Sequence, residues 1–303
     1  MKIGIIIVNY NGNHDTQECL ESISKLKTKY ELIVIVVDNN SKENLKLKTS
    51  DLPYTLECLK NKENVGFAAG NNVGIRRALE SGCDYVCVLN NDTLVDPDFL
   101  DELVNTYKKN TRAGLVSPKI YFSKGREFHK DKYEKNELGK VIWYAGGEMD
   151  WDNILGKHRG VDEVDKGQFS KDMLTDFATG CSFLVSRDVL DAVGFFDETY
   201  FLYYEDADFS EKVKRAGYHI WYSSKSVIWH KNAGSTGGSG SALQDYYITR
   251  NRLLFALRYA SFRSRMSVFR ESLRLIFNGR PWQKKGVLDF YLMKFGKGSY
   301  VKN

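Results

Sequence analysis

The stretch KIGIIIVNYNGN, residues 2–13, decides the fold. Its first seven residues form a nearly unbroken apolar run, which is typical of a strand buried on both faces of a parallel sheet. The polar tip Asn9–Gly12 follows at once. Ligands of open α/β sheets bind outside the carboxyl ends of the strands. The stretch therefore predicts the first strand of an α/β domain with a ligand site at its end.

The same alternation continues over the first 120 residues and predicts a mostly parallel sheet with helical crossovers. Further strands are predicted at Glu31–Val37, Tyr54–Leu59, Asp84–Leu89 and Gly114–Pro118. Helices are predicted at Asp15–Leu26, Asn71–Glu80 and Pro97–Lys109, the last with Asp96 as its cap.

Two more polar tips, residues 38–41 and residues 90–92, follow predicted strands and should meet the first tip in one crevice. Asp38 and Asp92 are each also ordinary turn residues. Together they favour a site where one carboxylate accepts from a nucleobase and the other, with a diphosphate, binds a divalent cation. Residues 64–74 are rich in glycine and alanine, which permit close approach of a ligand or another backbone, but they lack the dinucleotide fingerprint.

The second half carries an acidic cluster, Glu205, Asp206 and Asp208, just before a predicted helix. Acids at this place can simply cap the helix. They can also repel one another, which raises a pKa and leaves a base for a hydroxyl proton. His230 follows the predicted strand pieces Ile220–Tyr222 and Ser226–Trp229, and beside Asp92 it is a candidate metal ligand.

Two segments are predicted to be loops. Residues 123–140 are polar and charged, which indicates an exposed hairpin or loop. Residues 234–240, rich in glycine and serine, predict a mobile loop that orders on ligand binding.

Charge divides the chain into an acidic body and a basic tail. The 303 residues carry 44 Lys and Arg against 39 Asp and Glu, a net charge of +5. From Tyr246 onward there are 13 basic and 2 acidic residues, which leaves 31 basic and 37 acidic residues before it. The overall composition, 42% hydrophobic and 27% charged, excludes disordered and fibrous classes.

The tail has apolar residues at three- and four-residue steps over residues 243–277, with arginines between them, which predicts two amphipathic helices. These helices either pack against the body or a second copy of the chain, or attach to anionic lipid. Nucleic-acid binding is not favoured, because no recognised module accompanies the charge.

Five cysteines without CxxC spacing indicate free thiols in a reducing compartment. The apolar run Ile3–Val8 is too short for a signal peptide, and no stretch reaches the roughly 18–20 apolar residues of a membrane span. We therefore expect a cytoplasmic protein.

The ordered set of motifs resembles the family 2 glycosyltransferases. It comprises residues 8–12, residues 37–41, Asn64-x-Gly-Phe-x-x-Gly-Asn-Asn, residues 89–92, Thr179-Gly180-Cys181, Glu205-Asp206-x-Asp208 and Trp229-His230. The match spans residues 2–240, and Tyr246-Tyr247-x-x-Arg250-Asn251-Arg252 extends it into the tail. Within the family the chain is most similar to bacterial rhamnosyltransferase-like members that build surface polysaccharides.

The resemblance implies a GT-A fold, a Rossmann-like mixed sheet flanked by helices, over residues 1–240. The donor half would span residues 1–120 and the acceptor half residues 121–240, with a helical extension over residues 241–303. It also implies site residues. Nucleotide contacts would come from Val8, Tyr10, Asp38, Asn71, Asn90 and Asn91. Asn90 stands where the family's DxD motif has its first acid, so metal binding falls to Asp92 with His230.

Asp206 occupies the position of the family's catalytic base, with Glu205 as its orienting neighbour. An acceptor hydroxyl deprotonated there would attack the anomeric carbon opposite the diphosphate and invert its configuration. Mg²⁺ or Mn²⁺ would neutralise the departing diphosphate. Thr179, Gly180 and Cys181 would lie beneath the donor sugar, and Trp143 would either stack on a sugar or belong to the core.

The implied reaction is transfer from a UDP- or dTDP-sugar, such as dTDP-rhamnose, to a hydroxyl of a glycan or polyprenyl-linked acceptor at the inner face of the membrane. Two alternatives stay open. A sugar nucleotidyltransferase would need a basic glycine-rich loop after the first strand, and residues 9–12 contain no basic residue. A non-catalytic nucleotide-sugar or membrane-binding module would not hydrolyse the donor.

Overall fold

A computed structural model describes residues 1–48, 52–232 and 240–301. Twelve strands are present in the described chain: β1 Lys2–Asn9, β2 Glu31–Asp38, β3 Thr55–Lys60, β4 Tyr85–Leu89, β5 Thr93–Val95, β6 Ala113–Phe122, β7 Ile142–Tyr144, β8 Gly147–Asp150, β9 Leu155–His158, β10 Met173–Leu174, β11 Ser182–Ser186 and β12 His219–His230. The α-helices of this part are α1 Asn13–Ile23, α2 Gly66–Glu80, α3 Phe99–Lys109, α4 Arg187–Val193, α5 Glu205–Arg215, α6 Ala242–Tyr259, α7 Phe262–Asn278 and α8 Pro281–Tyr291.

Ten of the strands form one mixed sheet, in the order β10-β12-β6-β11-β4-β1-β2-β3, with β5 beside β12 and β7 beside β6. Strands β1 to β4 are parallel, whereas β11 runs antiparallel to both of its neighbours. Strands β8 and β9 form a separate hairpin. Asn9 lies opposite Asp38 in the register of β1 and β2, so their polar tips start side by side.

Helices cover both faces of the sheet, because its central strands are apolar on both sides. On one face, alternate residues of β1, such as Ile5, pack in one core with α1 and α3. On the other face, Ile6 packs in a second core with α2, α4 and α5. The result is a mixed α/β sheet flanked by helices, which confirms the predicted fold class.

The predicted start of α3 and the two predicted strand pieces around Tyr222 and Val227 differ from the structure, whereas residues 123–140 form the loop alternative of the prediction. Helix α3 begins at Phe99 with Asp98 before it, not at Pro97. The two predicted strand pieces around Tyr222 and Val227 are one strand, β12, with a register shift between Ser223 and Val227. Residues 123–140 contain a single 3-10 turn, Lys130–Lys132, and the structure assigns no strand to them. The predicted mobile loop at residues 234–240 falls almost wholly outside the described residues.

Helices α6 and α7 confirm the two helices predicted over residues 243–277, and a third helix, α8, follows them. The buried side chains of the tail share a cluster with the body, in which Leu253 and Phe255 of α6 meet Ile154 and Tyr200. Helix α6 is therefore part of the packed structure. Among the described residues, no helix is both long enough and apolar enough to span a bilayer.

Candidate active site

The polar tips of β1, β2 and β4 meet in one crevice, as the sequence predicts. Asn9 is fully buried and lies at the centre. Its amide nitrogen donates to Asp38 Oδ1 at 3.0 Å and to Ser41 Oγ at 3.2 Å. The side-chain nitrogen of Asn91 donates to Thr16 Oγ1 at 3.1 Å. Hydrogen bonds between the tips thus fix their relative positions before any ligand binds.

The residues implied for the nucleoside differ in how they face this crevice. Tyr10 is 39% exposed, whereas Asp38 and Asn71 are almost completely buried. The amide of Asn71 donates to Phe67 O at 3.0 Å, one turn earlier in α2. Val8 packs toward Gly70. Tyr10 is therefore the exposed side chain of the group. Contacts of Val8, Tyr10, Asp38 and Asn71 with a nucleoside stay a prediction.

Helix α2 begins at Gly66 and not at the predicted Asn71, so most of the glycine-rich segment 64–74 lies inside the helix. Gly66 has φ +88°, and a Cβ there would lie 2.5 Å from Phe201 O. A Cβ on Gly74 would lie 2.3 Å from Ile6 Cγ2. These glycines therefore let α2 approach its neighbours closely. The sequence predicted close approach of either a ligand or another part of the chain, and the structure shows the second.

Asp92 and His230 are brought together from β4–β5 and the end of β12. His230 Nε2 lies 3.1 Å from Asp92 Oδ1, and the two side chains are only 8% and 14% exposed. His230 Nδ1 has no hydrogen-bond partner within the described chain. A carboxylate and an imidazole are both ligand types for Mn²⁺. The pair therefore fits a divalent cation that a diphosphate would also bind.

Trp143 packs against this pair. Its ring lies 4.6 Å from the ring of His230 and 4.4 Å from that of His158, edge-on to both. Burial lowers the pKa of His158 to about 4, and its Nδ1 donates to Trp143 O at 3.1 Å. The neutral His158 thus contacts both the ring and the carbonyl oxygen of Trp143 and holds it in place. Sequence reasoning missed His158, and stacking of Trp143 on a sugar stays a prediction.

The turn at Thr179, Gly180 and Cys181 connects the two halves of the site. Gly180 N donates to Asp206 Oδ2 at 2.9 Å. Cys181 O accepts from Asn90 N at 2.8 Å. Two adjacent residues of the turn, Gly180 and Cys181, therefore bind the candidate base and the segment that carries Asp92.

Asp206 is partly exposed at the amino terminus of α5, and its Oδ1 accepts from Ala207 N at 2.8 Å. Burial raises the pKa of Asp206, although the two backbone N–H donors oppose that shift. Glu205 beside it is buried, and its Oε2 has no hydrogen-bond partner in the described part of the chain. Burial and the neighbouring Asp206 raise the pKa of Glu205 well above its usual value.

Asp208 does not share this environment. It is completely buried, and its carboxylate binds Arg258 Nη1 at 2.8 Å, Tyr259 Oη at 2.9 Å and Tyr200 Oη at 3.1 Å. Lys212 Nζ lies 3.3 Å away. Asp208 therefore fastens α5 to α6 and has a structural role, whereas Glu205 and Asp206 stay candidates for the chemistry.

Sequence reasoning also missed several buried amides that hold the site together. Asn72 pairs with the backbone of Phe196 through both its side-chain atoms, at 2.9 and 3.1 Å. Asn39 donates to Asn64 Oδ1 and Gly66 O at 3.0 Å. Asn251 of α6 contacts residues 200–203. These asparagines stand within the motifs of the family resemblance, which was the signal for them in the sequence, but no role was assigned to them there.

Comparison with known proteins gives the family. The model of "Glycosyl transferase family 2" matches residues 4–194, which is more than half of the chain. A low-salt glycan biosynthesis hexosyltransferase of Haloferax volcanii is 27% identical over 83% of this chain and 74% of its own length. A dTDP-rhamnosyl transferase of Shigella flexneri is 27% identical over 82% and 78%. An N-acetylglucosaminyl-diphospho-decaprenol L-rhamnosyltransferase of Mycobacterium tuberculosis is 23% identical over 77% of each chain.

Solved structures agree on the fold. A crystal structure of GalNAc-T7 with UDP, GalNAc and Mn²⁺ superposes with a TM-score of 0.59 at 16% identity. The alignment covers 93% of this chain and 58% of that one. The mixed sheet is accordingly of the GT-A type. With the family model matched over most of the sheet, the chain belongs to glycosyl transferase family 2 and transfers a sugar from a nucleotide-sugar donor.

Proposed function

We propose that this glycosyltransferase inverts the anomeric carbon, with Asp206 as the base, and moves a sugar from a UDP- or dTDP-sugar to a hydroxyl of a glycan or lipid-linked glycan. One observation carries the proposal: the 179–181 turn binds both Asp206 and the Asn90 segment. This arrangement puts a carboxylate on one side of a shared turn and the candidate diphosphate site on the other.

The proposed step is a single displacement. The acceptor oxygen bonds to the anomeric carbon while its proton passes to the carboxylate of Asp206. The bond from that carbon to the diphosphate oxygen breaks, and its electron pair leaves with the nucleoside diphosphate. Because attack and departure are on opposite faces, configuration inverts. Gly180 N and Ala207 N each hold one carboxylate oxygen, so the base has a fixed orientation.

A raised pKa suits Asp206 to this role. Because its pKa is raised, the carboxylate of Asp206 is a stronger base than an ordinary aspartate and accepts a hydroxyl proton more readily. The raised pKa of Glu205 favours its neutral form, which reduces the repulsion that a second negative charge would exert on Asp206.

The base assignment is tested with Asp206→Asn. The amide keeps the size of the side chain but cannot accept the proton, so turnover should fall by about 10²- to 10⁴-fold. The assay is release of UDP or dTDP from a UDP-sugar or dTDP-rhamnose. Binding of UDP or dTDP, measured by titration, should change little. A variant that turns over at the wild-type rate would remove Asp206 from the mechanism.

We assign divalent cation binding to Asp92 and His230. When bound, Mn²⁺ or Mg²⁺ would neutralise charge on the departing diphosphate. Support comes from the 3.1 Å contact of the two side chains and from the unpartnered His230 Nδ1 among the described residues. The Mn²⁺ in the GalNAc-T7 structure is consistent with this assignment.

The metal assignment has its own test. Chelation with EDTA should abolish turnover, and added Mn²⁺ should restore it. His230→Ala should raise the Mn²⁺ concentration needed for half-maximal turnover about tenfold or more, since metal-site substitutions typically cost this much affinity. His219→Ala is the matched control, because His219 is an exposed histidine at the opposite end of the same strand, β12. Full activity in EDTA would contradict the assignment.

Donor and acceptor are proposed from the relatives. Two of them are rhamnosyltransferases, and the name of one specifies a lipid-linked acceptor. We propose dTDP-rhamnose as the first donor to test. A UDP- or dTDP-sugar that binds should raise the melting temperature of the protein. At a ligand concentration 100 times the dissociation constant, the folded state gains about 2.7 kcal/mol. Family membership leaves the nucleotidyltransferase alternative without support.

We also propose that α7 attaches the enzyme to anionic lipid at the inner face of the membrane, where a polyprenyl-linked acceptor would lie. One side of α7 exposes Phe262, Met266, Leu273 and Phe277, which we call the α7 stripe. Phe262 and Phe277 are 78% and 77% exposed. Arg263, Arg270 and Arg274 are exposed along the same helix. Apolar side chains flanked by arginines are the pattern of an interfacial helix.

A further inference from the structure

The backbone just before Asp206 is held in an unusual conformation. Phe201, Tyr203 and Tyr204 have φ values of +65°, +68° and +72°. Non-glycine residues seldom adopt this left-handed region, and a bulky side chain there persists only where the surroundings hold it. Three such residues within four positions lead directly into Glu205 and Asp206. The direction of the Asp206 carboxylate therefore depends on whatever holds this segment.

Helix α6 holds the segment through two buried polar side chains, Arg250 and Asn251, both with no exposed surface. The amide nitrogen of Asn251 lies 2.9 Å from Tyr200 O, 2.8 Å from Leu202 O and 2.8 Å from Tyr203 O. Arg250 Nη2 donates to the same Tyr200 oxygen at 3.1 Å. The amide of Asn251 has two hydrogens, so it contacts all three carbonyl groups by sharing one hydrogen between two of them.

The same helix also binds the chain beyond Asp206. Arg258 contacts Asp208 at 2.8 Å and Asp197 at 2.7 Å, so it spans the segment from its start to its end. On the opposite side, Phe201 O accepts from Phe67 N at 2.7 Å, which connects the segment to α2. The strained segment is therefore enclosed between α2 and α6. Asp206 lies between the two sets of contacts that α6 makes, one with residues 200–203 and one with Asp208.

We propose that Arg250 and Asn251 are positioning residues for the transfer reaction: by binding the carbonyl groups of residues 200–203 they hold the Asp206 carboxylate against Gly180. The proposal rests on the role given to Asp206 above. It assigns to the basic tail a part in the reaction that is distinct from any contact with lipid. The hydrogen bonds that the described structure gives these two side chains go to residues 200–203, to each other and to Lys294 O, and not to the polar tips of the crevice.

The test compares Asn251→Ala with Val287→Ala. Val287 is buried in the same helical cluster, on α8, so it reports general loosening of the tail. Probes are dTDP-rhamnose and UDP-glucose with water as acceptor, and release of dTDP or UDP is measured. Displacement of a catalytic group by about 1 Å costs roughly 100-fold in rate. We expect that loss in Asn251→Ala, with dTDP and UDP affinity within about twofold of wild type, and near wild-type turnover in Val287→Ala.

Amide hydrogen exchange provides a readout that needs no substrate. Exchange at residues 200–207 should speed up in Asn251→Ala and stay as in wild type in Val287→Ala. Arg250→Lys, which keeps the charge but loses the planar fork, should show the same pattern with a smaller loss of about tenfold. Arg250→Lys replaces Asn251→Ala in both measurements if the Asn251→Ala protein does not fold.

Two outcomes would overturn the proposal. Equal turnover in Asn251→Ala and Val287→Ala, or unchanged exchange at residues 200–207, would leave α6 a purely structural helix. Failure of the proposed function looks different: Asp206→Asn would then hydrolyse the donor at the wild-type rate. In that case the exchange result alone decides whether α6 holds the segment.

Discussion

Glu205 is the most strongly perturbed carboxyl group near the site. It is 5% exposed, and in the described structure its Oε2 has no hydrogen-bond partner. Burial, then Asp206, then Asp208 raise its pKa well above the ordinary value. The charged form of a carboxyl group in such a place is disfavoured, because it has lost water and faces other negative charges.

The pH dependence of Glu205→Gln follows from this. A raised folded-state pKa means that the folded chain binds the proton more tightly than the unfolded chain, so wild-type stability falls as pH rises above the ordinary carboxyl pKa. Glutamine mimics the protonated acid and has no such loss. Relative to wild type, Glu205→Gln should therefore gain free energy of unfolding as the pH rises above the ordinary carboxyl pKa. Each unit of pKa difference corresponds to about 1.4 kcal/mol.

Urea denaturation at several pH values measures the effect. Glu80→Gln is the matched control, because Glu80 is exposed at the end of α2 and should leave the pH profile parallel to wild type. If the Glu205→Gln curve also stays parallel, the buried acid is charged in the folded chain and the interpretation is wrong.

The sequence predicted that Asp92 and His230 lie close together, but it did not reveal contacts that depend on packing. Asp92 and His230, 138 positions apart in sequence, could be paired from their strand ends and a family resemblance. Asp208 looked identical to its neighbours in the acidic cluster. Its partner Arg258 lies 50 residues away in the tail, and no local pattern reveals such a contact. The distinction between a reactive and a structural acid needs the fold.

At the scale of elements, α2 shows how close packing can outweigh helix propensity. Gly74 lies in the interior of the helix, where alanine would be favoured by about 1 kcal/mol. A Cβ there would nevertheless lie 2.3 Å from Ile6 Cγ2 and 3.3 Å from Val37 Cγ2. Both neighbours belong to the buried sheet, which cannot yield without shifting the strands beneath the crevice.

We expect Gly74→Ala to destabilise the protein by about 1–3 kcal/mol, as overpacking of a core usually does. The urea midpoint measures this change. Glu80→Ala, at an exposed position of the same helix, should stay within about 0.5 kcal/mol of wild type. A gain in stability for Gly74→Ala would show that propensity decides and that α2 can move away from the sheet.

Strand β12 shows why element boundaries were harder to predict than element types. The polar run Ser223–Ser226 interrupts its apolar pattern and reads as a break between two strands. In the fold, Ser223 Oγ lies 2.8 Å from Thr106 Oγ1, and Ser226 Oγ donates to Phe99 O at 2.8 Å. Buried serines that bond to α3 continue the strand. Strands β1, β2 and β4 were predicted because both their faces are apolar.

Across the whole molecule, the basic tail is divided between internal contacts and exposed charge. Arg258 binds Asp197 and Asp208 of the body, and Arg252 pairs with Glu271 within the tail. The sequence indicated an acidic body and a basic tail but could not distinguish paired from unpaired arginines. Because α6 shares a core with Ile154 and Tyr200, the boundary at residue 240 separates sequence motifs and not packed units.

The exposed part of that charge predicts how the enzyme binds membranes. Each basic residue near an anionic surface contributes about 1 kcal/mol. Replacing Arg263, Arg270 and Arg274 with glutamine should therefore weaken binding to phosphatidylglycerol vesicles by about 3 kcal/mol, roughly 150-fold, and Phe262→Ser with Phe277→Ser should weaken it further. Flotation of the protein with vesicles measures both.

The control removes the same charge from the body, as Lys25, Lys108 and Lys109 to glutamine, at exposed positions near and on α3. If α7 is the contact, the body variant floats nearly as wild type does, and binding falls with added salt because exposed charges are screened. Equal losses in the two triple variants would mean that net charge alone drives binding. Undiminished binding after loss of the α7 stripe would place the membrane contact elsewhere on the molecule.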